Sequence, residues 1–380
     1  MLFMPWRGIL IRVSEIKLSI CIATRNRGAF IGATLESVIC QATDEVEIVV
    51  LDGASTDNTE EVVRAYQSRF PRLRYIRAEV NMGIDRDFAK VVELAHGEYC
   101  WLFCDDDIFR PGAIRVVLDA LKNHYSLIIA NSEVRSADLT KILEVRKLLF
   151  EKDKIYTPNE NDRLMAEAGQ YLSFIGCVII KRQLWEGREK EPYFGSYFIH
   201  FGIIFQRPLP GDVLAIAEPL VSIRYANASW ANKFFEIWMF KWPNLIWSFT
   251  DFPNSVKDKV WPKEPWRSPK SLMHFRARGA YTMREYEQWL SPRLRSYWSR
   301  ATSKAIAHFP GRLANLIVYV YHSFVRLPSR LLTQSDLANS PYCFWKLPAR
   351  QGRPPKRSTP SCPPDLQLPT IGSNREGNSL

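Results

Sequence analysis

Asp105, Asp106 and Asp107 stand in a row directly after the apolar run YCWLFC (99–104). Three adjoining carboxylates repel one another and resist desolvation unless a cation sits among them. Hard oxygen donors offered in ones and twos, with positions left for water and substrate phosphate, suit Mg2+ or Mn2+, and a nucleotide diphosphate is the natural partner of such an ion. A solvated turn ahead of Pro111 would explain the triplet alone. Its abrupt position after so apolar a run, together with three further polar clusters that close β-favouring runs, favours a site. Those clusters are Thr24-Arg25-Asn26-Arg27, Asp52-Gly53-Ala54-Ser55-Thr56-Asp57 and Asn81-Met82-Gly83-Ile84-Asp85-Arg86. Asp52 is the last residue of its run, where a carboxylate can accept hydrogen bonds from a base or a ribose; Asp57 or Asn58 is better placed to cap the helix that follows. Thr24, Arg27 and Arg86 are candidate contacts to nucleotide or phosphate, against the plain alternative of solvated loop side chains.

The elements that must position these residues are legible from periodicity. LSICIA (18–23), a polar turn and an amphipathic stretch over 29–41 read as strand, loop and helix. EIVVLD (47–52) is a second strand, and the helix after it, running to about Phe70, opens with capping-box spacing from Asp57 to Glu60 or from Asn58 to Glu61. LRYIRA (73–78) and EYCWLFC (98–104) are a third and a fourth strand, with a helix from NMGIDRDF through Ala95 between them. Strands buried on both faces and alternating with helices predict an α/β fold with a mostly parallel, Rossmann-like sheet and flanking helices. Ligands of such sheets bind at the carboxyl ends of the strands, where helix N-termini offer unpaired N–H groups to anions. All four polar clusters fall on that edge. A helix over 113–122, a strand over 126–134, a buried segment over 171–180, an aromatic helix or loop-helix over 193–205 and a strand pair over 214–225 complete a domain of residues 17–228, preceded by an N-terminal extension, 1–16.

The remainder differs in kind. Residues 1–223 carry 27 Lys+Arg against 31 Asp+Glu, whereas residues 224–357 carry 23 against 7, so the formal charge of +11 originates in the back half. The region 229–347 reads as a helical appendage rich in aromatic and basic residues, with FFEIWMFKWPNLIWSF (234–249) and a second apolar helix over 313–327. Trp238, Trp242 and Trp247 have amphipathic rings that suit a membrane interface, and the surplus cations suit anionic lipid. Packing of the same rings against the core is the equal alternative. Neither helix is long enough to read as a membrane span. A nucleic-acid partner is not expected, because no recognised binding motif occurs and the aromatics cluster in apolar blocks. Residues 348–380, rich in Pro, Ser and Arg, read as a disordered tail. Seven cysteines without a CxxC pair or a histidine at ligand spacing give no zinc site. The apolar stretch within residues 1–17, broken by Arg7 and Arg12, is short for a secretory signal or a span, so the expected location is cytoplasmic, with the inner face of the plasma membrane as the surface the basic half would meet.

LSICIATRNR, IVVLDGASTDNT, NMGIDRDF and WLFCDDDIFRPGAI resemble the successive signatures of family 2 glycosyltransferases with the GT-A fold. The pattern GIDRDFAKVVELAHGEYCWLFCDDD is similar to the abequosyltransferase-like sugar transferases of bacterial surface polysaccharide synthesis. The match spans residues 17–225, and its third and fourth blocks are the most specific. The resemblance implies transfer of a sugar, with inversion, from a nucleotide-sugar donor to a glycan or lipid-linked acceptor, assisted by Mn2+ or Mg2+. It places the family's strand-one threonine on Thr24, the base- or ribose-binding aspartate on Asp52, the middle DxD position on Asp105 and the metal-binding aspartate on Asp106, with Asp107 beside it as a second metal ligand.

The chain also departs from the family. The first aspartate of the DxD falls on Cys104, and the arginine many relatives carry seven residues after the Asn of the third block is Phe88, which leaves Arg86 as the nearest cation. The family's catalytic base is usually an acidic residue about ninety residues beyond the DxD, where it deprotonates the acceptor hydroxyl. Between Glu191 and Asp212 this chain has no carboxylate. His200 is the titratable base in that gap, with an unperturbed pKa near 6.5 that leaves a neutral fraction to accept a proton or ligate the metal. A packed histidine on an aromatic helix is the plain alternative, and Asp212 and Glu191 are the other candidates. The missing acid also keeps a catalytically silent sugar-nucleotide binding module in view.

Overall fold

The computed structural model describes residues 15–227, 230–324 and 330–345. The expected N-terminal extension, apart from residues 15 and 16, and the expected disordered tail, 348–380, lie outside the described residues.

The first half alternates as the periodicity predicts: β1 (Leu18–Thr24), α1 (Ile31–Ile39), β2 (Val46–Asp52), α2 (Thr59–Gln67), β3 (Leu73–Arg77), α3 (Ile84–Glu93) and β4 (Tyr99–Phe103). Then come β5 (Ile108–Phe109), α4 (Ala113–Leu121), β6 (Leu127–Arg135), β7 (Ile142–Glu144), β8 (Lys154–Tyr156), α5 (Asn161–Ala168), β9 (Val178–Lys181), α6 (Arg182–Glu186), α7 (Ile199–Phe205) and β10 (Val213–Arg224). They form one sheet in the order β3-β2-β1-β4-β9-β6-β10-β5, with β7 pairing on β6 and β8 on β10. β9 is antiparallel to both its neighbours, β4 and β6, and β10 is parallel to β6. Two reversals cancel, so β4, β6 and β10 run in the same direction as β1, β2 and β3.

Alternate side chains of the central strands feed two separate cores, as a period of two requires. Cys21, Ala23, Val49, Leu51, Cys100 and Leu102 point to the face covered by α3, α5 and α7. Ile20, Ile22, Ile48, Val50, Trp101 and Phe103 point to the face covered by α1, α2 and α4. Close approach at the sheet's lower edge needs a glycine: a Cβ on Gly97 would stand 2.7 Å from the Ser19 amide nitrogen.

The segment 171–180 is largely buried, as expected, and is built of two 3-10 turns, Tyr171–Ser173 and Ile175–Cys177, leading into the short β9. The expected strand pair over 214–225 is one long strand, β10, irregular around Pro219, where the ring removes a ladder donor. Strands of two or three residues, β5, β7 and β8, were not foreseen because so short a run carries no periodicity.

Residue 228 is not a packing boundary. Beyond it a helix runs from Phe234 to Ser248, with a π turn at Ile237–Lys241 just before Pro243. The widened turn accommodates the N–H that Pro243 lacks. Trp242, Ile246, Phe249, Phe252 and Val260 belong to the same core as α3, α5 and α7. Trp242 is fully buried, its ring centroid 4.5 Å from that of Phe198 and 4.7 Å from that of Phe201. Trp238 and Trp247 are half-buried against the same cluster. Of the two alternatives offered for these rings, packing against the core is the one the structure favours, fully for Trp242 and in part for Trp238 and Trp247. No described helix is long and apolar enough to cross a membrane.

A core role has a measurable cost. Trp242→Ala is expected to lower unfolding stability by about 3–5 kcal/mol, read as a fall in the urea midpoint with the slope unchanged. A change under about 1 kcal/mol, the range of surface substitutions, would return Trp242 to the surface.

Candidate active site

Thr24, Asp52, Arg77, Phe103, Arg135 and Arg224 end their strands at one edge of the sheet. The loops leaving that edge are stitched together. The Asn26 amide donates to Ser55 Oγ at 2.8 Å, and the Thr56 amide donates to Asn26 Oδ1 at 2.7 Å. The Gly28 amide donates to Asp57 Oδ2, and the Arg27 amide to Thr59 Oγ1. Asp57 thus serves the junction of two loops as well as the start of α2, whose first-turn Thr59 N–H it accepts. Left-handed backbone at non-glycine residues marks these loops: Asn26 (φ 55°), Ala54 (φ 61°), Tyr197 (φ 73°) and Ala226 (φ 64°). Such strain persists where surrounding contacts over-determine the conformation.

The three aspartates leave β4 into this crowded edge. Arg27, itself buried, spans two of them: Nε donates to Asp105 Oδ1 at 3.0 Å and Nη2 bonds Asp106 Oδ2. Asn227 Nδ2 donates to the same Asp106 oxygen at 2.9 Å, and Arg27 Nη1 donates to the Asn227 carbonyl at 3.1 Å. Arg224, the last residue of β10, donates from its backbone to Asp107 Oδ1 at 2.8 Å and from Nε to the Asp106 carbonyl at 2.9 Å. Thr34 of α1 donates to the Asp107 carbonyl. Burial raises all three carboxyl pKa values: Asp105, also repelled by Asp106, to about 6; Asp106 upward against Arg27 and Arg224; and Asp107 well above the ordinary carboxylate range. Burial works against the Arg27 charge, yet Asp105 and Asp106 hold its pKa above the usual value. Three carboxyl groups thus share two cationic residues, Arg27 and Arg224, and the raised pKa values express their burial with the third positive charge missing. Cys104, Asp106 and Asp107 each bring one ligand atom within 4.8 Å of the others; the two carboxylates are the hard oxygen donors that Mg2+ or Mn2+ takes, whereas burial and the neighbouring aspartates raise the Cys104 pKa and keep it a thiol.

The other expected residues are placed unequally. Thr24 is buried at the end of β1, and its hydroxyl makes no well-formed hydrogen bond. Asp52 is fully buried with both oxygens engaged, Oδ1 by the Ser55 amide at 2.7 Å and Oδ2 by the Tyr75 hydroxyl at 2.6 Å. It orders the loop, and a ligand would have to displace one of these donors. Arg86 is exposed, with its guanidinium over the Phe194 ring at 4.2 Å, and none of its described contacts reaches the carboxylates.

Two of the three expected bases are removed by geometry. Asp212 precedes β10, and its carbonyl accepts from Ser126 at the start of β6. It therefore sits at the amino edge of the sheet, with eleven steps of β10, roughly 35 Å of extended chain, between it and Arg224. His200 is 1% exposed within α7. Its Nε2 donates to the Leu172 carbonyl at 2.7 Å, Nδ1 is enclosed without a partner, and burial lowers the pKa to about 4. It is a packed core histidine, because an aromatic helix used to fill the core carries its one imidazole inward. Glu191 is exposed at the start of the 191–198 loop, its pKa lowered by its own and the Lys190 backbone N–H groups.

Four site residues were missed. Arg224 and Asn227 follow from the rule that polar residues at strand carboxyl ends line the site, a rule applied only to the first four strands. Asp85 accepts from the backbone N–H groups of Gly195, Tyr197 and Ile199, and so pins the 191–198 loop to the start of α3. Asp87 is nearly buried against Gly53, where an added Cβ would stand 2.9 Å from its Oδ2; burial raises its pKa to about 6, with Arg25 opposing. The alternation of Asp85, Arg86 and Asp87 at the end of the third cluster and just beyond it is the signal that could have found both acids.

Comparison with known proteins agrees with this arrangement. Residues 19–179 match the model of Glycosyl transferase family 2. The abequosyltransferase RfbV of Salmonella typhimurium is 31% identical over 230 residues, covering 57% of this chain and 69% of that one. The GalNAc(5)-diNAcBac-PP-undecaprenol beta-1,3-glucosyltransferase of Campylobacter jejuni is 26% identical over 184 residues, covering 47% of this chain and 57% of that one. Among solved structures, the 1–349 fragment of S. aureus TarS superposes with a TM-score of 0.51 at 15% identity, over 85% of this chain and 91% of the fragment, and its UDP complex with a TM-score of 0.50. A mostly parallel sheet with its polar loops gathered on the carboxyl edge, an aspartate triplet directly after the fourth strand, and a relative aligned over two thirds of its length together show that this chain belongs to the family 2 glycosyltransferases and has their GT-A-like fold.

Proposed function

We propose that the chain is an inverting, divalent-metal-assisted transferase that moves a sugar from a nucleotide-sugar donor to a glycan or lipid-linked acceptor in bacterial surface polysaccharide synthesis. The observation that carries this reading is the aspartate turn, whose three carboxyl groups outnumber the two arginines that bond them and bring Asp106 and Asp107 within ligand distance of each other. Asp106 and Asp107 would hold Mn2+ or Mg2+, and the ion's role is to neutralise the charge of the departing nucleoside diphosphate. The relatives' names support the substrate class, since one is an abequosyltransferase and another acts on an undecaprenol-linked glycan. A fold neighbour binds UDP.

The protein's own groups have separable tasks. Arg27 and Arg224 fix the carboxylates and lie where diphosphate oxygens would gain positive charge. Thr24 and Asp105 would face the nucleotide at the same edge, and Asp52 would reach it by giving up the Ser55 or Tyr75 hydrogen bond. Glu191 is the acid of the expected set on the loop that Asp85 holds to the carboxyl edge, and it takes the acceptor's proton. As the acceptor oxygen forms its bond to the anomeric carbon, the bond from that carbon to the diphosphate oxygen breaks, so one displacement inverts the centre.

Two experiments test this. With a panel of nucleotide sugars and Mn2+, Asp106→Asn should lower transfer at least about 100-fold while leaving the melting temperature within a few degrees, and Glu191→Gln should lower kcat about 100-fold with little change in KM. His200→Gln, which keeps a donor for the Leu172 carbonyl, should retain activity to within about threefold. Donor binding without turnover in the wild type would instead identify a silent binding module, and loss of activity confined to His200→Gln would restore the imidazole as base. The second experiment reads stability. Because the folded Asp105 pKa, about 6, lies above its unfolded value, this group's contribution to stability in the metal-free protein falls as pH rises from near 4 through 6. A cation that binds the ionised cluster reverses that loss, so Mn2+ should raise the melting temperature more at pH 7.5 than at pH 5.5. Equal shifts at both pH values, or a shift retained in Asp106→Asn, would argue against metal at this turn.

A further inference from the structure

The helix Gly311–Phe324 is apolar on both sides. Gly311, Ala314, Asn315, Val318 and His322 are buried, and the helix packs on Pro269–Ala277 and on Arg330–Asn339. The opposite side carries Leu313, Leu316, Ile317, Val320, Tyr321 and Phe324, which are 37% to 84% exposed. Steps of three and one place these six on a single stripe along three turns. A surface helix ordinarily turns charge outward, and a contiguous exposed stripe of large apolar side chains marks a contact surface.

The charge in the sequence around the stripe has one sign. From Glu287 to Asp336 the chain carries seven Lys+Arg and no intervening Asp or Glu. Lys270, on the supporting helix, lies 5.0 Å from the centre of the Tyr321 ring, with Nζ 3.1 Å from its hydroxyl. Two copies meeting stripe to stripe would bring these cations together, so the charge selects an anionic partner. Fourteen residues at about 1.5 Å each make about 21 Å, short of the roughly 30 Å hydrocarbon core, which leaves the helix lying in the plane of a membrane.

We propose that the helix Gly311–Phe324 docks the protein on an anionic lipid bilayer by burying this stripe among the acyl chains while the flanking cations meet the headgroups. The supporting helix leads directly into Arg278, whose guanidinium reaches the Tyr225 hydroxyl at 3.5 Å. Tyr225 lies between Arg224 and Asn227, the residues that hold Asp107 and Asp106. The docking face is thus tied to the end of β10 that closes the acidic turn, and a lipid-linked acceptor would be delivered to that edge. This last step rests on the proposed function; the docking does not.

The test uses the full chain, sedimented with vesicles of phosphatidylglycerol and phosphatidylcholine or of phosphatidylcholine alone, at physiological salt. Wild type should partition onto the anionic vesicles, and Ile317→Glu with Val320→Glu should weaken that partition by about tenfold or more, as should neutral vesicles. The melting temperature and donor hydrolysis of the variant, expected unchanged, separate a failed docking surface from a failed transferase. Absence of wild-type binding, or unchanged binding in the variant, overturns the proposal. A wild-type dimer that the variant splits, with no vesicle binding, assigns the stripe to a second copy, and binding only to an acidic protein assigns it to that partner; either result overturns the lipid assignment.

Discussion

Carboxylates that repel one another at the end of β4 are the constraint around which the carboxyl edge is organised. Two unit charges 4 Å apart interact by about 4 kcal/mol at the effective dielectric of a protein surface, and three in succession cannot be enclosed without counter-charge. The cations that hold them come from distant parts of the chain, Arg27 after the first strand and Arg224 at the end of the last. The element that brings Arg224 there is the two-residue β5. The chain leaves the acidic turn and pairs at once with β10, Ile108 opposite Ser222 and Phe109 opposite Val221. That pairing draws the end of β10 over the turn, and the ring of Phe109, stacked 3.8 Å from that of Phe103, anchors it in the core below. Holding the site closed is therefore a task of the sheet as much as of the loops.

The loops bear the cost of this closure as backbone strain. Four of the six left-handed non-glycine residues among those described lie in the segments that converge here. Each costs of order 1–3 kcal/mol, offset by hydrogen bonds such as those between Asn26 and the Ser55–Thr56 segment. Asp85 plays the same part for the 191–198 loop, where Tyr197 is strained between two of the N–H groups that the carboxylate accepts. A desolvated carboxylate kept for three backbone donors fixes the loop that carries Glu191 and supports Phe194 under Arg86.

What was legible in the sequence follows from range. The strand-helix alternation of residues 18–103 is local, so apolar runs and caps revealed it, and the rule of strand carboxyl ends then placed Thr24, Arg27 and Asp105 to Asp107 on one edge. Position along the chain could not tell that Asp212 stands at the amino edge, since that depends on β10 running parallel to β6, a non-local pairing. Nor could it tell that His200 faces inward, because α7 is buried on every side and has no polar face to betray its orientation. Arg86 was chosen by proximity in sequence to a missing arginine, and helical geometry turns it instead toward Phe194.

The helices beyond residue 228 show the same limit from the other side. The segment 234–249 and the helix 311–324 are both apolar around most of their circumference, and composition treats them alike. Their fates differ because of what lies beside them. The first fits between α7 and the end of the main core, where Phe198, Phe201 and Phe205 leave room for Trp242 and Phe249, so its rings are enclosed. Among the described residues the second has neighbours on one side, and the side chains that would need a second neighbour are exposed. Tryptophan content marked a helix that the fold encloses, since a large ring is as useful for filling a core as for resting among headgroups. The informative quantity is apolar surface left uncovered after folding, set in a stretch of chain that holds cations and no carboxylate.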